Sequence, residues 1–177
     1  MKILAISGSV RKTSTNTTFL KTLKEFAPPG IEISLYDNLN LLPIFSPDEE
    51  GEKTPDIVHE LMKAIAMNDT IIISSPEYVR TIPGGLKNAI DWMVSRYEII
   101  DKPIALAHAS HRGDDMLHSL RLVLSTVSNN FLEDIFLRIN LLGKTQEEVE
   151  ALLHLPKYES QIRSFLQDLQ MAVFQNT

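Results

Sequence analysis

The residues best suited to chemistry in this chain stand in two loops. The first holds Ser7, Ser9, Arg11, Lys12, Thr13, Ser14, Thr15, Asn16 and Thr17, a set of hydroxyls, amides and two cations with no carboxylate. Ahead of a helix such a stretch suits an anion, because a helix N-terminus offers free backbone N–H groups and partial positive charge. The plainer reading is a strand-to-helix loop with a Ser or Thr cap. The second loop is Ser75-Pro76-Glu77-Tyr78-Val79-Arg80-Thr81-Ile82-Pro83-Gly84-Gly85, in which prolines and glycines shape a backbone whose N–H groups can point at a ligand. Its plainer reading is a connection stiffened by proline. The sequence has no GxSxG elbow, GxGxxG turn, GxxxxGK[ST] loop or HExxH helix, which disfavours a serine hydrolase, a Rossmann dinucleotide fold and a nucleotide triphosphatase. With no cysteine, thiol catalysis, thiolate metal sites and iron–sulfur clusters are excluded. His108, His111 and His118 with Asp114 and Asp115 read as scattered surface residues, and no metal site is expected.

Those loops need elements to hold them. Ile3-Leu4-Ala5-Ile6 reads as a strand buried on both faces, and Leu20 and Leu23 begin the apolar stripe of the helix that follows. Pro28-Pro29-Gly30 ends that helix, and Ile31 to Tyr36 alternates apolar and polar as a strand near the sheet edge does. Residues 37–55 form a long loop carrying Leu39, Leu41, Leu42, Ile44 and Phe45, a composition expected of a loop that is functional or covered by another chain. A helix is expected over 56–68, a buried strand over 69–75, a helix over 86–93, and a strand over 103–109 leading into the polar loop 110–115. A helix over 116–128, a last strand over 135–142 and helical structure from Thr145 onward, broken at Pro156, complete the chain.

This alternation predicts an α/β fold: a three-layer, doubly wound, five-stranded parallel sheet of flavodoxin-like order 2-1-3-4-5, in one domain over residues 1–177. Its ligand belongs beyond the carboxyl ends of the strands, at the switch between strands one and three, where the polar loops after strands one, three and four open. A net charge of −6 argues against nucleic-acid and membrane-surface partners. The start of the chain lacks a signal-peptide apolar region, and no apolar run reaches membrane-span length, so a cytoplasmic protein is expected.

Gly8-Ser9-Val10-Arg11-Lys12-Thr13-Ser14-Thr15-Asn16 resembles the GSxRxxSxN motif of the NADPH-dependent FMN reductase family. Pro76-Glu77-Tyr78 followed by Ile82-Pro83-Gly84-Gly85-Leu86-Lys87-Asn88-Ala89-Ile90-Asp91-Trp92 resembles that family's PEYN…PGxLKNAIDW signature. The resemblance implies FMN as cofactor and NADPH or NADH as hydride donor. It implies that Ser9, Arg11, Ser14, Thr15, Asn16 and Thr17 bind the cofactor phosphate, with Arg11 as charge-assisted donor. Pro76, Glu77, Tyr78 and Val79 would flank the isoalloxazine, and Ser110, His111, Arg112 and Gly113 would close over its other side. Hydride would pass from NAD(P)H to flavin N5 and onward to free flavin, a quinone, an azo compound, a metal oxyanion or oxygen, with no acid–base residue required. The alternative of a different class is an FMN electron carrier that never meets NAD(P)H. The chain departs from the family at Val79, where Asn is usual, at Arg80 and Thr81, where small residues are usual, and in the loop 110–115, which lacks the family's Ser- and Gly-rich character. Arg80 and Arg112 are candidates for an NADPH 2′-phosphate contact or plain solvated cations. The resemblance also implies a homodimer, and dimers that pair into tetramers.

Overall fold

A computed structural model describes residues 1–175; Asn176 and Thr177, the end of the expected helical tail, lie outside the described residues. Five strands, β1 (Lys2–Ser7), β2 (Glu32–Tyr36), β3 (Thr70–Ser74), β4 (Ile104–His108) and β5 (Phe131–Arg138), pair in parallel in the order β2-β1-β3-β4-β5. Six α-helices accompany them: α1 (Thr15–Glu25), α2 (Asp56–Ala66), α3 (Gly84–Met93), α4 (Asp114–Val127), α5 (Gln146–Leu153) and α6 (Pro156–Gln175). This is the flavodoxin-like arrangement that the alternation predicts.

The period of two along each strand divides the core into two layers. Leu4, Ile6, Ile71, Ile73, Ile104 and Leu106 face α2, α3 and α4, while Ile3, Ala5, Ile72, Ala105 and Ala107 face α1, α5 and α6. β3 and β4 are buried throughout, as strands covered on both faces must be, and the alternating β2 sits at an edge. Pro156 opens α6 at the first helical position, where its missing N–H costs no hydrogen bond.

The last strand differs from expectation. It runs over Phe131–Arg138, four residues ahead of the expected 135–142. Phe131 already pairs with Ile104, and the register then slips before Leu106 meets Phe136, so Glu133 and Asp134 stand exposed in a bulge. The two carboxylates conceal the strand start from a hydrophobic reading. Beyond Arg138 the chain still follows β4, because the amides of Ile139 and Leu141 donate to the carbonyls of His108 and Ala109.

The loop 37–55 is folded onto α3 through 3-10 turns at Leu39–Leu41, Pro47–Glu49 and Gly51–Lys53. Trp92 Nε1 and Asn88 Nδ2 both donate to the Pro43 carbonyl at 2.9 Å, the Phe45 amide donates to Asn88 Oδ1 at 2.8 Å, and the Phe45 and Trp92 rings meet edge-on. Leu39 and Leu42 are buried by this docking, whereas Leu41 and Ile44 remain 57% and 89% exposed. Lys87 and Asp91 form the expected i,i+4 ion pair on the same helix.

Candidate functional site

The loops that follow β1, β3, β4 and β5 enclose a cleft of about 350 Å³ at the carboxyl edge of the sheet, the size of a small-molecule site. The first loop is drawn in by close packing. Gly8 donates to the Ser74 carbonyl at 2.8 Å, and a Cβ at Gly8 would lie 2.7 Å from Ser75 Oγ and 2.9 Å from Leu86. Glycine is the one residue that lets the first and second loops approach so closely. Ser74 Oγ donates to Asn16 Oδ1, tying the first turn of α1 to the end of β3.

Helix α1 begins without a side-chain cap. Ser14 holds the N-cap position in an extended conformation but its hydroxyl makes no cap hydrogen bond, and no acidic residue lies in the first turn. Ser14, Thr15 and Asn16 line the cleft together with Ser9 and Arg11. The start of the helix, with its partial positive charge, and Arg11 therefore stand together in the wall of the cleft. Thr17 lies off the wall, with its hydroxyl donating to Ser7 Oγ at 2.9 Å.

The second loop supplies Ser75, Pro76, Glu77 and Tyr78 to the wall. Tyr78 and Thr81 exchange backbone hydrogen bonds across Val79 and Arg80, whose φ values of 50° and 60° put both in the left-handed region that a type I′ turn demands. Val79 is thus a β-branched residue in a conformation suited to Gly or Asn, and it projects from the tip of the turn 96% exposed, outside the wall. Arg80 Nε bonds Asp115 at 2.6 Å, which holds the Asp115 carboxyl below its usual range. Glu77 Oε2 accepts from the Met116 amide at 3.2 Å. That bond caps α4 from another loop, because the N-cap of α4 is Gly113, which has no side chain to do so.

Ser110, Arg112 and Gly113 form the third side of the cleft. His111 does not reach it; its Nδ1 meets Asn140 Oδ1 at 2.9 Å. Arg138 Nε donates to the Ser110 carbonyl at 2.8 Å, and Arg138 Nη1 pairs with Asp114 at 2.9 Å. His108 is buried beneath this loop, and burial, more than the opposing contact with the Arg112 carbonyl, lowers its pKa. Because Nε2 faces a carbonyl oxygen at 2.5 Å it carries the proton, and among the described residues Nδ1 is buried without a partner, as suits a neutral ring.

Sequence reasoning missed Ser75, His108, Ala109, Leu141, Leu142 and Gly143 in the wall. His108 and Ala109 close an apolar strand pattern, which masks them. Leu141 and Leu142 fall in the stretch expected to be strand; only Gly143, left-handed at φ 75°, marks a turn there.

Fold and cleft together define a flavodoxin-like α/β protein with a small-molecule-sized cleft at the switch point of the sheet, one side of which is formed by the start of α1 and Arg11. The sequence model of the NADPH-dependent FMN reductase family matches residues 1–138, and the chain belongs to that family. It is 36% identical over 106 residues to a quinone reductase of Escherichia coli, covering 59% of this chain and 55% of that protein. It is 35% identical over 111 residues to the NADPH:quinone oxidoreductase of Arabidopsis thaliana, covering 60% and 56%. The matched region is thus little more than half the length of either relative. Among solved structures it is similar to FerB, a flavoenzyme NAD(P)H:(acceptor) oxidoreductase from Paracoccus denitrificans, with a TM-score of 0.76 at 22% identity over 98% of this chain and 97% of that one. An oxidoreductase of Corynebacterium diphtheriae superposes with a TM-score of 0.69 at 14% identity over 100% and 99%. These two structural likenesses speak to the fold.

Proposed function

We propose that the chain is a single FMN-binding domain and an FMN-dependent oxidoreductase that moves electrons from NADPH or NADH to a small-molecule acceptor in the cytoplasm. The observation that carries this reading is the uncapped, acid-free start of α1 opening into the cleft beside Arg11. A mononucleotide phosphate needs those donors and that charge, and the cleft beyond them is walled by Pro76, Tyr78 and Leu142, which suit a flat ring. The bound flavin supplies the two-electron chemistry. The chain's own work is to bind and orient. Arg11 with Ser9, Ser14, Thr15 and Asn16 holds the phosphate, and Pro76, Glu77 and Tyr78 hold one side of the ring. Ser110, Arg112 and Gly113 hold the other side. A quinone is the favoured acceptor, since the Escherichia coli and Arabidopsis thaliana relatives are named for quinones.

The test is an absorbance spectrum of the purified protein with FMN, then anaerobic NADPH, then a soluble benzoquinone. The expected result is a bound-flavin band that bleaches with NADPH and returns with quinone. A band that never bleaches points to an electron carrier, and no binding overturns the reading. Arg11→Ala is expected to weaken FMN at least tenfold, the scale of a lost charge-assisted hydrogen bond, and to leave riboflavin affinity within about twofold. Fluorescence titration with both ligands reads the difference.

The partner reading is a homodimer. The support is the exposed Leu41 and Ile44 on a loop that is otherwise firmly docked to α3.

A further inference from the structure

We propose that Ser74 is a positioning residue: it holds Asn16 with the side-chain nitrogen turned into the cleft, as a donor for the phosphate of the ligand. The inference rests on the flavin reading above, which supplies the phosphate.

The period of two along a strand places Ser7 and Ser74 on the face of the sheet that Ile3, Ala5 and Ile72 present to α1. The two serines pair in register at the ends of β1 and β3. Each meets one residue of the first turn of α1. Ser7 Oγ accepts from the Thr17 hydroxyl at 2.9 Å, and Ser74 Oγ donates to Asn16 Oδ1 at 2.9 Å.

The two contacts differ in what they leave over. Thr17 lies off the cleft wall, and its hydroxyl proton is spent on Ser7. Asn16 lines the cleft and is 6% exposed. Its Oδ1 is spent on Ser74, which is fully buried and is no part of the wall. Its Nδ2 makes no hydrogen bond among the described residues, yet it is not one of the sealed side-chain atoms left without a partner. The nitrogen therefore meets open space, and the open space beside Asn16 is the cleft.

Ser74 also decides which end of the amide that is. A carboxamide turned end for end keeps its shape and exchanges an acceptor for a donor. Among the described residues Asn16 Oδ1 is the one acceptor that the Ser74 hydroxyl has. With Nδ2 inward the hydroxyl would become the acceptor, and its own proton would be buried with nowhere to go, which the fold disfavours. With Oδ1 inward the hydroxyl is satisfied and the amide N–H bonds are left for a ligand. That side of the cleft also holds Arg11 and the acid-free start of α1, so a donor there adds to an anion site. An oxygen turned outward would set an acceptor against the phosphate instead.

The experiment is fluorescence titration of wild type, Ser74→Ala, Asn16→Ala and the double variant, each with FMN and with riboflavin. Ser74→Ala is expected to weaken FMN about fivefold, on the scale of one net hydrogen bond, and to leave riboflavin within about twofold. In the Asn16→Ala background the same change is expected to cost less than about twofold more, because the residue it acts through is gone. A loss shared equally by FMN and riboflavin, a loss that persists undiminished without Asn16, or no loss at all overturns the proposal and leaves the flavin reading intact. Wild type that binds no FMN overturns the flavin reading, and the proposal with it. Should a thermal melt show that Ser74→Ala does not fold, Ser74→Cys decides, because a thiol is a weaker donor. A loss confined to FMN then supports the proposal, and a shared loss or none rejects it.

Discussion

At the scale of single residues the most informative position is Val79. A non-glycine residue in the left-handed region costs roughly 1–2 kcal/mol, and a β-branched, almost fully exposed side chain regains none of it from the protein's own packing. Val79→Asn is expected to stabilise the apoprotein by about 1 kcal/mol, since Asn tolerates this conformation, raising Tm by about 2–4 °C in a thermal melt. An unchanged or lower Tm would mean that the turn carries no strain. The family's usual Asn at this position now has a physical reason, which the sequence displays only as a mismatch. Val79 also shows how a motif outruns geometry: Pro76, Glu77 and Tyr78 reach the cleft, while the residue after them turns out to solvent. Glu77 has a second duty that no motif announces, the capping of α4 across loops.

At the scale of elements, two histidines hold helices and loops with opposite pH dependence. His154, at the C-cap of α5, has Nδ1 against the Glu150 carbonyl and Nε2 against Glu25 of α1, contacts that raise its pKa, the backbone bond most. A group with a raised folded pKa contributes fully below its unfolded value, near 6.5, and loses that contribution as pH rises through the folded value. His108 is lowered by burial, so its sign is reversed: the unfolded chain takes up a proton near pH 6.5 that the folded chain refuses, and stability falls as pH drops below that value. Urea midpoints measured from about pH 5 to pH 9 are expected to lose their decline above pH 6.5 in His154→Gln and to soften their decline below it in His108→Gln. Identical profiles for wild type and both variants would remove both assignments. Neither role was legible beforehand, because His154 acts on a residue 129 positions away and His108 hides at the end of an apolar run.

At the scale of the whole molecule, sheet order, layering and the location of the cleft were all legible, because a period of two in five short strands and helical spacing between them leave few ways to wind the chain. What was not legible depends on contacts distant in sequence. The fourth loop of the cleft, Leu141, Leu142 and Gly143, became visible only once β5 was found to start at Phe131 and to end before them. The apolar loop 37–55 was expected to be functional or covered. Its docking on Trp92 leaves Leu41 and Ile44 as a firm apolar surface. Leu41→Lys with Ile44→Asp is expected to halve the mass seen in sedimentation at micromolar concentration, while a wild type that already sediments as a monomer would end the dimer reading.

The bulge in β5 bears on how this protein stays dispersed. A regular outer strand offers a row of unpaired amides and carbonyls to any neighbouring chain. Here the row is interrupted at Glu133 and Asp134, where two exposed carboxylates repel a like strand, and Arg121 occupies the Glu133 carbonyl at 3.3 Å and its side chain at 3.0 Å. Glu133→Thr with Asp134→Val would restore a continuous β-branched border, and light scattering on slow heating is expected to rise earlier than the loss of helical signal. The irregularity that obscured the strand in the sequence is also the one that breaks the row of edge groups another sheet would need.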